Sequence, residues 1–148
     1  MCWRRPASAK TADVSVLLDT GILYAYYDRS DGWHARARGV ITKHAHGLVV
    51  PAPVITEVDH LLGHRIGARA RHAFYEGLVG GHYTVADLPQ DAYARVAELN
   101  QRFAELDLGF VDAAVVAVAE RSGIPRIATA DRRHFQPLAA ALSLQLIP

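Results

Sequence analysis

The chain has 148 residues, 51% of them hydrophobic and 21% charged, which predicts one folded domain with a sizeable core and excludes a disordered chain. Its formal net charge of +1 provides no overall positive field to attract nucleic acid. The single cysteine, Cys2, excludes an internal disulfide framework and a cysteine-based zinc site, and it suits a reducing compartment. Because no apolar run approaches the roughly 18 residues of a membrane span, we expect a cytoplasmic protein with no membrane partner.

The first twelve residues differ in character from the rest of the chain. They carry Arg4, Arg5 and Lys10 with no apolar segment behind them, so they do not fit a secretory signal. We expect residues 1–12 to form a flexible N-terminal extension and residues 13–148 to form the folded domain.

The hydrophobic pattern of that domain predicts strands and helices in alternation. In chain order these are a strand at 14–18, helices at 20–27 and 33–45, a strand at 48–50, helices at 54–64 and 68–79, a strand at 82–85, helices at 89–106 and 109–121, and strands at 126–128 and 143–147. Such alternation is typical of an α/β domain with three α/β/α layers. We expect a central parallel sheet of about four to five strands.

Four carboxylates stand in or beside apolar stretches. Asp19 ends the first strand, Glu57 borders the apolar side of the third helix, Asp112 is the only charge within 109–119, and Asp131 directly follows 124–130. An uncompensated carboxylate beside a core costs several kcal/mol. Four such residues therefore predict a shared site for hard divalent cations, which indicates metal-assisted chemistry on phosphates.

The expected topology supports a common location for these acids. Ligands of parallel sheets bind at the carboxyl ends of the strands, where Asp19 and Asp131 are predicted to lie. Asp112 falls in the first turn of its helix, where the dipole stabilises a negative charge. Taken singly, Asp112 is equally well explained as a helix cap, and Asp19 and Asp131 are equally well explained as turn residues. Only the set of four acids favours a site.

Two further acids leave alternatives open. On a helical wheel Glu57 and Asp59 border opposite sides of one apolar stripe, so periodicity does not choose between them. Asp107 precedes the buried helix. It either caps that helix or supports the metal-binding acids without contacting the metal itself.

The acids are embedded in four short motifs. These are Leu17-Leu18-Asp19-Thr20-Gly21, Val54-Ile55-Thr56-Glu57-Val58, Phe110-Val111-Asp112-Ala113-Ala114, and Ile-Ala-Thr-Ala-Asp-Arg-Arg-His-Phe at 127–135. Their order and spacing across 14–147 resemble the acidic motifs of PIN-domain ribonucleases, in particular the VapC-type toxins of bacterial toxin–antitoxin pairs. One departure is the extension at 1–12, which exceeds the usual start of that family.

The resemblance carries specific implications. It implies a PIN-like fold and a metal-dependent endoribonuclease that acts as a toxin on an RNA substrate. It implies Mg²⁺ or Mn²⁺ held by Asp19, Glu57, Asp112 and Asp131, which settles the choice between Glu57 and Asp59. It also implies a homodimer that is inhibited by a VapB-type antitoxin.

Residues beside the motifs are candidates for supporting roles. The hydroxyls of Thr20 and Thr129 are placed to support the metal ligands or the substrate, although threonines at a sheet edge need no such role. Arg132 and Arg133 follow Asp131 and are candidates to hold RNA phosphates. Stacking on RNA bases is open to several aromatic residues, but packing or a dimer contact is the favoured explanation for each of them: Tyr24, Tyr26, Tyr27, Trp33 and Phe135.

Other functions fit the sequence less well. A catalytically weak RNA- or partner-binding PIN module is the main alternative, and the presence of all four acids speaks against it. An aspartyl-nucleophile phosphatase would place a second acid where Gly21 stands, and it would need a downstream lysine beyond Lys43. His60 and His64 lack the glutamate of a metalloprotease helix, so a solvated helix face explains them better.

Overall fold

The computed structural model of the protein describes residues 14–148. The extension predicted for residues 1–12 lies outside the described residues and stays a prediction. Within the described part, five short strands form one sheet, in which every pairing is parallel. The strands are β1 (Val16–Leu18), β2 (Leu48–Pro51), β3 (Thr84–Ala86), β4 (Arg126–Ala128) and β5 (Gln145–Ile147).

Seven α-helices accompany the strands in the part of the chain that the structure describes. They are α1 (Thr20–Tyr27), α2 (His34–Lys43), α3 (Ala52–Arg65), α4 (Ala68–Val79), α5 (Tyr93–Arg102), α6 (Gly109–Ser122) and α7 (Arg132–Leu142). Single 3-10 turns at Gln90–Ala92 and Ala104–Leu106 flank α5. Five parallel strands with these helices form the predicted three-layer α/β/α domain, so the predicted fold class is confirmed.

The sheet order β3-β2-β1-β4-β5 places β1 at the centre. Leu17 is aligned with Val49 on one side and with Ile127 on the other. All three residues of β1 are fully buried, as expected for a strand that is covered by helices on both faces. The first strand therefore delivers the residue that follows it, Asp19, to the middle of the sheet edge.

Helix α7 was not predicted from the sequence. Its first turn is polar and it contains Pro137, which removes a backbone hydrogen bond from a helix interior. The helix forms because the Asp131 carboxylate accepts a hydrogen bond from the His134 backbone N–H at 3.1 Å and because Phe135 and Leu138 are completely buried. Capping and core packing thus outweigh the proline.

The helix predicted at 89–106 was too long. The structure ends α5 at Arg102, and Asp107 adopts a left-handed backbone with φ of 50°. Gly109 follows with φ of 79°, a conformation that glycine adopts without steric cost. This turn redirects the chain so that the buried helix α6 can begin at the carboxyl edge of the sheet.

A glycine also permits a close approach at the opposite edge. A Cβ atom on Gly47 would lie 2.4 Å from the backbone oxygen of Val14, and the Gly47 carbonyl accepts a hydrogen bond from Val16 N at 2.8 Å. The chain entering β1 therefore packs directly against the turn before β2. No helix in the described range is both long and apolar enough to cross a membrane.

Candidate functional site

The four candidate acids come from four separate elements. Asp19 is the N-cap residue of α1 and Asp131 is the N-cap residue of α7. Asp112 lies in the first turn of α6, and Glu57 lies in the second turn of α3. Each of these helices starts at the edge of the sheet where the parallel strands end, so the fold brings the four acids to one place.

Thr129 joins the first acid to the last. Its hydroxyl donates a hydrogen bond to the Asp19 carboxylate at 2.8 Å and accepts one from the Asp131 backbone N–H at 2.9 Å. Thr129 is completely buried and Asp19 is only 4% exposed, so this hydrogen bond is largely shielded from bulk water. The hydroxyl therefore fixes the Asp19 carboxylate relative to the turn that carries Asp131.

Glu57 is held by the other candidate threonine. The Thr20 hydroxyl donates to Glu57 Oε1 at 2.7 Å, which ties the start of α1 to α3. Asp59, which periodicity left as an alternative, lies 3.0 Å from Arg71 and also accepts a hydrogen bond from the Tyr75 hydroxyl. The structure thus places Glu57 with the acids and gives Asp59 other partners.

His134 belongs to the same cluster, and sequence reasoning did not single it out. Its Nδ1 lies 3.0 Å from Asp112 Oδ2 and 2.9 Å from Asp131 Oδ2. This nitrogen is buried and has no hydrogen bond of good alignment. The available signal was its position three residues after Asp131, which puts both side chains on one face once a helix starts there.

Crowding of the acids changes their acidity. Burial raises the pKa of Asp19 to about 7, and the charge of Asp112 contributes to the same shift. Burial also raises the pKa of Asp112 to about 6, against the lowering effect of His134 and with further raising by Asp131 and Glu57. The four acids therefore act on one another electrostatically, and a bound cation would relieve their repulsion.

The donor atoms suit a hard divalent cation. Asp112, Asp131 and His134 each offer one ligand atom, and these atoms lie within 4.8 Å of one another. Carboxylate oxygens are the ligands that Mg²⁺ prefers, and an added imidazole nitrogen is also compatible with Mn²⁺. A buried carboxylate with a raised pKa next to this set is the arrangement that a cation stabilises. The residues present fit such an ion.

The other candidates lie outside this cluster or at its margin. The Arg132 guanidinium donates to the backbone oxygen of Pro148, whereas Arg133 is exposed on α7. Asp107 does not cap α6, because that helix begins without a side-chain cap, and its side chain is exposed. Tyr24 and Phe135 are buried, in agreement with the packing role favoured for them.

Comparison with known proteins identifies the family. The family model for the PIN domain matches residues 16–140. Ribonuclease VapC26 of Mycobacterium tuberculosis is 33% identical over 123 residues, which cover 83% of this chain and 91% of that protein.

Solved structures agree with this match. The crystal structure of Mycobacterium tuberculosis VapC20, a toxin that cleaves the sarcin–ricin loop, superposes with a TM-score of 0.78 at 25% identity and covers 90% of this chain and 100% of that one. DNA-bound VapBC of Salmonella typhimurium has the same fold, with a TM-score of 0.68 at 14% identity over 89% of this chain and 96% of that one. The chain is therefore a member of the PIN-domain family, among its VapC-type ribonucleases.

Proposed function

We propose that this chain is a metal-dependent endoribonuclease and the toxin of a type II toxin–antitoxin pair. The observation that carries the proposal is the meeting of Asp19, Glu57, Asp112 and Asp131 at one sheet edge, in a chain of the VapC type. The hydrogen bonds that these acids accept leave the mutual repulsion of four carboxylates in one partly buried cluster uncompensated by any cation of the described residues other than His134. A site for divalent cations would explain why the four carboxylates lie together.

These four acids would hold Mg²⁺ or Mn²⁺. When bound, such ions lower the pKa of water so that hydroxide can attack, and they neutralise the charge that builds on the phosphate. The protein itself supplies orientation, since Thr129 holds Asp19 and Thr20 holds Glu57. His134 keeps Asp112 and Asp131 on the same side of the site. Burial of Asp19 excludes water that would weaken these interactions.

Recognition of RNA would use the rim of this site. Arg133 is exposed one residue after Arg132, and its guanidinium is free of the contact that Arg132 makes to Pro148. Arg133 is therefore the better candidate for a phosphate contact, where a planar guanidinium can pair with two oxygens. The working form would be a homodimer in the cytoplasm.

A VapB-type antitoxin would be the natural inhibitor. The solved Salmonella typhimurium relative is a VapBC complex, which supports a partner of the same type here. An acidic groove is masked most effectively by a segment that bears arginine, because guanidinium groups pair with carboxylates and displace metal. Co-expression with a VapB-type antitoxin encoded beside this chain should therefore relieve growth arrest. The same antitoxin without its arginine-bearing segment should not relieve it.

The decisive experiment is cleavage of a short unstructured RNA by the purified protein. We expect cleavage with Mg²⁺ or Mn²⁺, none with EDTA, and loss of at least a hundredfold in rate for Asp112→Asn. The control is Glu76→Gln, which neutralises an exposed glutamate near the C-terminal end of α4, away from the carboxyl edge of the sheet, and which should cut normally. Binding of RNA without any cleavage by the folded wild type would favour the RNA-binding module instead.

A further inference from the structure

We propose that Tyr93 and Phe110 form a platform on which an unpaired RNA base stacks, a short distance along the strand from the cleaved phosphate. This inference deepens the proposed function and rests on it for the identity of the ligand. Neither residue belongs to the acids that identify the family, and neither was among the aromatic candidates considered from the sequence.

The two rings form an exposed pair. Their centroids are 5.9 Å apart with an interplanar angle of 34°, so each ring supports the other. Tyr93 is 49% exposed and Phe110 is 46% exposed, although an aromatic side chain of this size normally contributes most of its area to a core or an interface. About half of each side chain is therefore open to solvent, and exposed rings of this kind can stack on a flat ligand such as a nucleic-acid base.

The pair lies at the end of α6 that also carries Asp112. Phe110 lies in the first turn of α6, two residues before Asp112. Side chains two residues apart on a helix point about 200° apart, so they lie on opposite sides of a helix about 10 Å wide. An RNA strand that reaches both side chains crosses the N-terminal end of α6.

The turn before Phe110 is rigidly held. The Asn100 side chain accepts a hydrogen bond from Gly109 N at 3.1 Å and donates to the Gly109 carbonyl at 3.2 Å. The same amide donates to the Val96 carbonyl at 3.0 Å, which anchors the turn to α5. The backbone that leads into Phe110 is therefore held before any ligand arrives, so that binding does not cost the entropy of ordering this turn.

The chemistry of this corner favours a base over a phosphate. The turn carries Glu105 and Asp107, and the guanidinium of Arg102 lies 5.1 Å above the Phe103 ring. The corner therefore has no excess of positive charge to grip the backbone. Stacking contributes about 1–3 kcal/mol per base and tolerates any sequence, so an aromatic surface can hold RNA where charge does not.

The first test measures binding without cleavage. All proteins carry Asp112→Asn so that a twelve-nucleotide unpaired RNA, labelled with 2-aminopurine at one position at a time, stays intact in Mg²⁺ buffer. We expect fluorescence quenching at one or two adjacent positions. Phe110→Ala should remove that quenching and weaken binding by about 5- to 150-fold, which corresponds to 1–3 kcal/mol. Tyr93→Ala should have a smaller effect, and Phe110→Trp should keep the quenching.

Val79→Ala is the control variant for the RNA-binding test. It removes another large exposed apolar side chain, at the end of α4 with 90% exposure, and should leave RNA binding unchanged. Circular dichroism melts establish that each variant is folded. Unchanged quenching and affinity in Phe110→Ala would overturn the proposal. So would a loss of the dimer in light scattering, because the pair would then be a contact between two copies of the chain.

The second test separates this inference from the proposed function. RNA with an abasic nucleotide at the quenched position should lower kcat/KM for the wild type with intact acids, mainly through KM. Phe110→Ala should be insensitive to the abasic change, and equal sensitivity in both proteins would refute the platform. If the wild type cuts no RNA at all but quenching persists, the ribonuclease proposal fails and the stacking platform stands.

Discussion

Replacement of Asp19 by asparagine should stabilise the metal-free protein while destroying its activity. The pKa of Asp19 rises from 3.8 to about 7 on folding, so the folded state binds this proton more tightly than the unfolded chain does. Stability must therefore fall as the pH rises from about 4 to about 7 and stay low above that range. In the metal-free protein at neutral pH, the buried charge of Asp19 therefore lowers the free energy of unfolding.

The size of the effect follows from the shift. Three pKa units correspond to about 4 kcal/mol, which is an upper bound because relaxation and partial hydration reduce it. The substituted asparagine would carry no charge, yet its amide oxygen could still accept a hydrogen bond from the Thr129 hydroxyl, which donates to Asp19 at 2.8 Å. We therefore expect Asp19→Asn to raise the free energy of unfolding by about 1–3 kcal/mol at about pH 8 in EDTA. Near pH 4 the two proteins should be equally stable.

Urea unfolding monitored by circular dichroism measures this difference directly. Addition of Mg²⁺ should narrow or reverse this difference in stability, because a cation that binds only the folded wild type adds stability that grows with the logarithm of its concentration above Kd. Asp87→Asn, which removes an exposed carboxylate, should match the wild type in every condition. If the wild type in EDTA is as stable as Asp19→Asn at pH 8, the burial of a repelled charge is not what sets the energetics of this site.

Three further changes test how the site is supported. Thr129→Val keeps the shape of the side chain but removes the two hydrogen bonds that link Asp19 and Asp131, so RNA cleavage should fall at least tenfold and stability by about 1–3 kcal/mol, whereas Thr129→Ser should retain most of both. Phe135→Ala empties a completely buried position in α7 and should cost about 3–5 kcal/mol in urea unfolding; a loss below 1 kcal/mol would mean that α7 is not anchored through this ring. Gly47→Ala would set a Cβ atom 2.4 Å from the Val14 carbonyl oxygen and should lower the melting temperature, and an unchanged melt would show that the entry to β1 can move aside.

The acids at the strand ends could be located from the sequence because their positions follow from topology. Once Asp19 and Asp131 follow buried strands of one parallel sheet, they must meet at its carboxyl edge. Asp112 was visible for a different reason, since it is the only charge within the apolar stretch 109–119. In both cases a local pattern was sufficient to place a residue in three dimensions.

Glu57 and His134 show where that reasoning ends. Both Glu57 and Asp59 border the apolar stripe of α3, and their partners, Thr20 and Arg71, come from other elements that periodicity does not orient. His134 joins the acids only because α7 forms. The polar first turn and Pro137 of that helix leave no hydrophobic pattern from which the helix could be predicted. The break after α5 is similar, because the left-handed residue Asp107 is not a type that demands that conformation. Long-range contacts, not local preference, decide these positions.

The hydrogen bond from Thr129 to Asp19 spans 110 positions of the chain, and it has a consequence for synthesis. The first and last acids come together only when β4 pairs with β1, so a growing polypeptide that ends before residue 129 has no complete centre for cutting RNA. RNA near the translating ribosome would thus meet no complete centre until the residues of β4 and Asp131 have been made and β4 has paired with β1. We expect C-terminal truncations before β4 to be harmless to growth for that reason.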